Sequence, residues 1–380
     1  MLNGYRVVEL AVWVAGPAAG GVLADWGADV VKVEPPSGDP MRAVFGAIGV
    51  REPRVPPFEL DNRGKRSVVL DLASAEGRSA MEKLLSTADV FLTNLRVDAL
   101  ERLGLDHASV MARHPRLIYA GVTGYGLEGP DRDRPGYDVG AFWARSSMAS
   151  TLVPPGSEPP AIRSGMGDHV TAITLVAGIC AALAERERSG RGRLVATSLL
   201  RTGIYCMGWD IGVYLRFNKI SSTRPRERNT APLVNCYRAS DGRWFWLLGL
   251  EQDRHWPGLM TALGDSSIAT DERFKNAIAR REHATELIVL FDEIFAGRTR
   301  DEWTEEFDRH DVWWAPVNTI PDVIADPQAA AAGAWVDMPI VDGEPPYRAV
   351  ATPIDFGGFT QTPGHVPALG EHTDEVLRGL

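Results

Sequence analysis

Short, largely apolar segments alternate with helical segments over roughly the first 125 residues, and this alternation limits the fold more than any other feature of the sequence. Five such segments read as buried strands: 5–10, 29–34, 67–72, 90–92 and 117–122. Residues 14–26, between the first two, have the length and composition of a short helix. Strands that alternate with helices form an open parallel sheet with right-handed crossovers. The sequence therefore predicts an α/β fold.

The remainder of the chain predicts a second, smaller domain. Residues 170–188 are apolar almost all round and are expected to form a long, central, buried helix. The polar, basic and Pro-containing segment 216–229 is typical of an interdomain linker. We therefore expect a large domain of residues 1–215, completed by 326–380, and a smaller α+β domain of residues 230–325.

Composition narrows the class of partner. The net charge of -10 gives no general attraction to nucleic acid or to anionic membranes, so we expect a small-molecule partner. The three cysteines are too few and too scattered for a disulfide framework. The N-terminus lacks the pattern of a secretory signal, and we find no window of about 20 apolar residues. These features favour a cytoplasmic protein that does not bind membranes.

The segment Ser164-Gly165-Met166-Gly167-Asp168 stands at the predicted start of the long helix. Two glycines let the backbone pass close to a ligand, and a carboxylate at a helix start faces the positive end of the macrodipole. We expect Asp168 to stay ionised, and an ionised carboxylate can attack an acyl-CoA carbonyl. On position alone, an ordinary N-cap is the commoner explanation of such an aspartate.

Ordered motifs over nearly the whole chain resemble the class III CoA-transferase family, also called the CaiB/BaiF type. This family includes formyl-CoA transferase, carnitine CoA-transferase and alpha-methylacyl-CoA racemase. The matching motifs lie at 8–10, 16–17, 23–34, 38–42, 62–67, 88–96, 124–126, 129–130, 167–168, 181–183, 188–192 and 369–373. The predicted small domain resembles the family only loosely.

The resemblance implies that Asp168 is the catalytic aspartate. It would attack a donor acyl-CoA to give a mixed anhydride, be captured by CoA thiolate as an aspartyl-CoA thioester, and then exchange with an acceptor acid. The partners are thus an acyl-CoA donor and a carboxylic acid acceptor. CoA and acyl-CoA are substrates, and no permanently bound cofactor or metal is implied.

The resemblance also implies a set of CoA-binding positions. They are Arg42, Leu70, Asn94, Leu95, Arg102, Leu103, Arg134 and Tyr137, with Lys65 in a neighbouring motif. Cations are expected because CoA carries phosphates, although a single arginine is more often a solvated surface charge. Pro35 stands where some members carry an arginine placed to meet a CoA phosphate.

Two alternatives to CoA transfer stay open at this point. The first is an acyl-CoA racemase or epimerase, or an intramolecular CoA isomerase. Tyr137 occupies the position of the racemase histidine, and a phenol is a far weaker acid than an imidazolium, so the sequence favours transfer. His169 is adjacent to Asp168 but points about 100° away from it on a helix, so we expect a packing or first-turn residue.

The second alternative is a non-catalytic CoA-binding protein. Some members cover the aspartate with a glycine-rich loop of the small domain, whereas the comparable segment 247–255 has a single glycine here. The resemblance further implies an interlocked homodimer.

Overall fold

The structure is a computed structural model that describes residues 1–220, 223–264, 266–340 and 345–380. The chain divides into two compact units. The first comprises Met1–Ser150, Pro159–Ser221 and Ala331–Leu380, and the second Thr151–Glu158 and Ser222–Ala330. The division predicted from the sequence placed 151–158 in the large domain and 216–229 in a linker. As a statement about domains it stays a prediction.

A parallel sheet of six strands organises the described part of the first unit. The strands are β1 (Arg6–Leu10), β2 (Asp29–Glu34), β3 (Arg66–Val69), β4 (Val90–Thr93), β5 (Ile118–Thr123) and β6 (Leu194–Ser198). Their order is β3-β2-β1-β4-β5-β6, and every neighbouring pair is parallel. The predicted α/β class with an open parallel sheet is confirmed.

The helices of the first unit cover both faces of this sheet. They are α1 (Ala15–Asp25), α2 (Val44–Ala47), α3 (Pro56–Asn62), α4 (Ala75–Ser86), α5 (Val97–Leu103), α6 (His107–Arg113), α7 (Met148–Thr151), α8 (Met166–Ser189), α9 (Leu199–Cys206), α10 (Gly208–Phe217) and α18 (Thr373–Arg378). A 3₁₀ helix spans Pro40–Ala43 and a π-helix spans Asp138–Ala144. Two apolar cores result, one on each face of the sheet.

The long helix α8 differs from its prediction. One face is buried, with Ala172, Leu175, Val176 and Ile179 packed in the core shared with α1 and β5. Val170, in contrast, is exposed in this chain. By length and composition alone, α8 is also a candidate membrane span, which the sequence analysis did not expect. Core helices can have the same length and apolar composition as membrane spans, and the packed face of α8 shows the arrangement of a core helix.

The second unit is an antiparallel α+β assembly. Its strands β7 (Cys236–Arg238), β8 (Trp244–Leu247) and β9 (Trp314–Pro316) pair in that order. Its helices are α11 (Gln252–Leu263), α12 (Ser266–Thr270), α13 (Ala277–Glu282), α14 (Ala284–Phe295), α15 (Arg300–Arg309), α16 (Ile320–Ala325) and α17 (Pro327–Ala331), with 3₁₀ turns at Arg226–Arg228 and Glu272–Phe274. The core is aromatic, built around Tyr237, Phe245 and Phe295.

The C-terminal segment returns to the sheet of the first unit. After the antiparallel pair β10 (Trp335–Asp337) and β11 (Arg348–Val350), it runs along the edge strand β3. The backbone N–H of His372 donates to Ser67 O at 2.9 Å, and the N–H of Gly64 donates to His365 O at 2.8 Å. The segment therefore covers the open edge of the sheet, which is otherwise a template for pairing with another strand.

Candidate active site

Asp168 lies in the first turn of α8. Gly165, the residue that caps this helix, has φ = 79°, a left-handed conformation that glycine adopts without steric cost. The side chain of Asp168 is half-buried, and no hydrogen bond to it is found among the described residues. A carboxylate at a helix start without a side-chain or backbone partner is available for chemistry.

Gly167 has a packing role at the start of α8. A Cβ at this position would lie 2.5 Å from Cγ of Phe142, closer than real Cβ contacts allow. Phe142 belongs to the π-helix Asp138–Ala144, so glycine lets that helix pack directly against the start of α8. The expectation that Gly165 and Gly167 let the backbone pass close to a ligand stays a prediction.

Burial and neighbouring carboxylates change the protonation of Asp168. Desolvation is the largest cause, followed by the charge of Asp138, and together with Asp61 they raise the pKa of Asp168 to about 7. The charge of His169 acts in the opposite direction. The expectation that Asp168 stays fully ionised is therefore wrong, because the favourable helix start does not outweigh burial among like charges.

His169 forms an ion pair with a residue that the sequence analysis missed. Its Nε2 lies 3.0 Å from Oδ1 of Asp61, the penultimate residue of α3. The Asp61 side chain is 3% exposed and that of His169 is 44% exposed. The hydrogen bond to Asp61 raises the pKa of His169. Thus His169 is a first-turn residue, as expected, and it is paired with a buried carboxylate that favours its protonated form.

Asp138 is the third acidic residue of the site, and it was also missed. It is 7% exposed, and its Oδ1 accepts a hydrogen bond from Val139 N at 2.8 Å. Its Oδ2 is buried with no hydrogen-bond partner in the described part of the chain. The only sequence signal was its position directly after Tyr137, because the contact with α8 joins segments that are distant in sequence.

Asn94 holds the loop that follows β1. Its Oδ1 accepts from Val12 N at 2.9 Å and its Nδ2 donates to Val12 O at 2.6 Å. Strands β1 and β4 are neighbours from which the chain proceeds in opposite directions along the sheet. Ligands of open α/β sheets bind in the crevice at the carboxyl ends of such strands. Asn94 and Leu95 follow β4 directly and so lie at that edge.

Lys65 does not have the surroundings expected for a phosphate-binding residue. It is buried, and its Nζ lies 2.7 Å from Glu9 Oε2 and donates to Pro17 O at 2.8 Å. Glu9 also pairs with Lys32 at 3.0 Å in the interior. Burial lowers the pKa of Lys65 to about 8. We conclude that this lysine neutralises a buried carboxylate beneath the sheet edge.

Arg42 is likewise occupied. Its guanidinium forms two hydrogen bonds with Glu34, at 2.7 and 2.8 Å, and a third with Pro367 O at 3.0 Å. It also lies 4.3 Å from the ring centre of Phe58. The burial of Glu34 explains this pairing, because an unpaired carboxylate there would be costly. Within the chain described here, Arg42 ties the C-terminal segment to β2.

The other predicted CoA-binding residues lie in two different environments. Leu70 is in the core, and Leu95 and Leu103 pack against it. Arg102 and Arg134 are mostly exposed and pair with Asp98 and Asp131 of their own segments. Tyr137 is exposed and meets the ring of Trp13 edge-on at 6.1 Å.

A cavity of 210 Å³ lies near this group of leucines. It is lined by Leu72, Arg78, Met81, Glu82, Leu103, Gly104, Leu105 and Arg113. Leu103 is the one predicted CoA-binding residue in that lining. The lining therefore contains one predicted CoA-binding residue together with Arg78 and Arg113, two arginines that were not predicted from the sequence.

In the segment 247–255 of the second unit, two central backbone N–H groups donate hydrogen bonds within that unit. The N–H of Leu248 donates to Trp313 O at 2.8 Å, and that of Gly249 donates to Leu233 O at 2.7 Å. A Cβ on Gly249 would lie 2.8 Å from Cβ of Leu233. In this structure Gly249 thus serves close packing inside the unit.

The described residues contain no cluster of three or more His, Cys, Asp or Glu side chains suited to holding a metal ion.

The comparisons with known proteins decide the family. A family model described as CoA-transferase family III matches residues 2–373. The chain belongs to CoA-transferase family III. This confirms the resemblance of the sequence motifs and identifies the protein as a class III CoA-transferase.

Individual relatives of this transferase agree over their full lengths. An (R)-2-hydroxy-4-methylpentanoate CoA-transferase of Clostridioides difficile is 33% identical, covering 100% of this chain and 95% of the relative. A succinate–glutarate CoA-transferase of Agrobacterium fabrum is 35% identical, with 100% and 95% covered. The crystal structure of a CaiB/BaiF family protein from Brucella suis has a TM-score of 0.86 at 32% identity, with 99% and 98% covered.

Proposed function

We propose that this transferase moves CoA through covalent intermediates on Asp168. The Asp168 carboxylate attacks the acyl-CoA carbonyl, forming a mixed anhydride and releasing CoA thiolate. The thiolate then attacks the aspartyl carbonyl carbon, which forms an aspartyl-CoA thioester and releases the donor acid as its carboxylate. The acceptor carboxylate repeats these two steps in reverse and leaves as acyl-CoA, regenerating the Asp168 carboxylate.

One observation carries this proposal: Asp168 is a half-buried carboxylate at a helix start with no hydrogen-bond partner among the described residues. Its pKa of about 7 supports the same role, because a more basic carboxylate is a better nucleophile and a substantial part of it is ionised at neutral pH. The neighbours Asp138, His169 and Asp61 act on Asp168 through their charge, and none of them forms a hydrogen bond with its oxygens.

The test is capture of the intermediates. Asp168→Asn should lose exchange between acyl-CoA and acid, and intact-protein mass spectra of the wild type during turnover should show an acyl or CoA adduct that the variant lacks. Hydroxylamine should inactivate the wild type only in the presence of acyl-CoA. Asp301→Asn is the control, because Asp301 is an exposed first-turn aspartate of α15 in the second unit. Full exchange by Asp168→Asn would overturn the proposal.

We place CoA at the carboxyl edge of the sheet, near β1, β3 and β4. Leu70 and Asn94 directly follow two of these strands, and the 210 Å³ cavity opens beside Leu103. Arg102, Arg134 and Tyr137 are the exposed members of the predicted set, whereas Arg42 is bonded to Glu34 and Pro367, and Leu95 and Leu103 pack against the core. The two curated relatives above are named for a branched hydroxy acid and for dicarboxylic acids, so the acids used by this transferase are to be found by screening.

We also propose a homodimer in the cytoplasm. Helices α9 and α10 expose large apolar side chains, among them Tyr205, Trp209 and Leu215, with Trp209 84% exposed. An apolar surface of this kind is typical of a protein–protein interface. The cysteines Cys180, Cys206 and Cys236 are all free thiols, which agrees with a reducing compartment.

A further inference from the structure

Four ionisable side chains from three segments lie near enough to the start of α8 to influence one another's charge. Asp168 and His169 belong to α8 itself, Asp61 comes from α3, and Asp138 comes from the π-helix that packs against Gly167. Three of the four are acids. A buried cluster of like charges is unfavourable unless a proton or a cation offsets it.

His169 is the cation that acts on Asp168, and Asp61 fixes it. The 3.0 Å contact occupies Nε2, and the carboxylate of Asp61 is almost fully buried, so it cannot turn to water. The adjoining Cε1–Nδ1 edge of the ring lies near the helix cap, since a Cβ on Gly165 would be 3.4 Å from Cε1 and 3.5 Å from Nδ1. The imidazole is therefore held between α3 and the first turn of α8.

We propose that the Asp61–His169 ion pair is a positioning pair that supplies the counter-charge for the nucleophilic carboxylate and favours the ionised form of Asp168 in the resting enzyme. This rests on the proposed role of Asp168. His169 does not react with substrate in this proposal. It offsets the charge of Asp138, whose Oδ2 has no hydrogen-bond partner among the described residues.

The sign of each contribution follows from the charges. A protonated His169 favours ionised Asp168 and lowers its pKa, whereas Asp138 and Asp61 raise it. Asp61, Asp168 and Asp138 all favour protonated His169, with the hydrogen bond from Asp61 as the largest cause. Removing His169 should therefore raise the pKa of Asp168, and removing Asp138 should lower it.

The first experiment is the pH profile of kcat/KM, whose acid limb reports the free enzyme. His169→Gln should move this limb upward by about one pH unit, with the wild-type plateau regained at high pH. His169→Arg should bring the limb back, because it restores the charge. Asp138→Asn should move the limb downward. A structural role of His169 would instead lower the activity at every pH and leave the limb in place, which would overturn the proposal.

His365→Gln provides the matched control. His365 pairs with Glu371 at 2.9 Å, a histidine–carboxylate contact similar to that of His169, but on the surface. The His365→Gln variant should leave the acid limb of the kcat/KM profile unchanged. An equal shift in this variant would mean that histidine loss acts through net charge, and this would count against a local counter-charge.

A second measurement does not need turnover. The ¹³Cγ resonance of Asp168, assigned by its loss in Asp168→Asn, should titrate at higher pH in His169→Gln than in the wild type. The imidazole resonances of His169 should titrate at lower pH in Asp61→Asn. If the Asp168 resonance shifts as stated but Asp168→Asn still transfers CoA, the result supports His169 as the counter-charge and contradicts the covalent mechanism on Asp168. If the resonance titrates identically with and without His169, the counter-charge falls alone.

Discussion

The protonation of Asp168 depends on residues that no local pattern identifies. Its position in the motif was enough to select it from the sequence, and its place in the first turn of a helix was predicted as well. Its charge state was predicted wrongly, because Asp61 and Asp138 reach it only through the packing of α3 and the π-helix on α8. A property set by long-range contacts cannot be derived from the residues beside it.

The raised pKa has a consequence for stability. In the folded chain the pKa of Asp168 is about 7, whereas an unfolded aspartate titrates near ~3.9. The folded state therefore binds more protons between these values, and the free energy of unfolding falls as pH rises from 4 to 7. Asp168→Asn, which has no charge to bury, should be more stable than the wild type by up to roughly 4 kcal/mol at pH 8, and by much less at pH 4.

Urea unfolding of both proteins at pH 8 and pH 4 measures this difference. The control is Asp301→Asn, whose side chain is exposed and should change stability little at either pH. The same gain for Asp168→Asn at both pH values would show that the effect is not electrostatic.

Two exposed arginines allow a test of which side chains bind the phosphates of CoA. Among the residues that the structure describes, Arg102 and Arg134 pair with exposed or half-buried carboxylates of their own segments, so their guanidinium groups can turn to a ligand. Arg102→Gln and Arg134→Gln should each raise KM for acyl-CoA by about tenfold with kcat nearly unchanged.

Initial-rate kinetics across acyl-CoA concentrations check this, with Arg309→Gln as a control on an exposed pair of α15. Unchanged KM in both variants would remove these arginines from the CoA site. Arg42 is a poor test of the same idea, because its replacement would also leave buried Glu34 without a partner.

At the scale of elements, the regular parts of the first unit were predictable and the irregular parts were not. Strands β1, β2, β4 and β5 agree with the apolar runs to within a residue or two, and Ser74 caps α4 through a 2.9 Å bond from Gly77 N. Strand β6 was missed because it is only partly buried and carries two polar residues. The π-helix was missed because its form depends on packing against α8.

The contact between the π-helix and α8 offers a test of element packing. Gly167→Ala should destabilise the protein by about 1 to 3 kcal/mol, because the new methyl group would overlap the ring of Phe142. Activity should fall as well, since the shift displaces the turn that carries Asp168.

Urea unfolding and kcat measure the two effects. Gly46→Ala is the matched control, because a Cβ there meets nothing within 4 Å and the change should be neutral or stabilising by less than about 1 kcal/mol. Combining Gly167→Ala with Phe142→Leu should cost less than the two single changes added together. An additive double variant would indicate that the two residues are not in contact in solution.

At the scale of the whole molecule, the proposed homodimer predicts a solution mass near twice the 41.4 kDa of one chain. Trp209→Glu should shift the population to single chains, since it places a charge in the exposed apolar surface of α9 and α10. The position of this surface could not be derived from the sequence, because a helix that packs inside a chain and one that packs between chains have similar apolar patterns.

Light scattering on size-exclusion chromatography measures the mass. Ile278→Glu, at another strongly exposed apolar residue, in α13, should leave the mass unchanged. A wild-type protein that is fully active at the mass of one chain would contradict the dimer.

The covering of β3 by the C-terminal segment also bears on how the protein is made. Residues 365–373 bond to Gly64, Ser67 and Val69, yet they leave the ribosome only after the entire second unit has been translated. Throughout that interval the outer side of β3 in the six-stranded sheet has no covering segment, and it can pair with a neighbouring nascent polypeptide. Biosynthesis of this enzyme thus has a vulnerable period that ends only when the C-terminal segment closes over the strand.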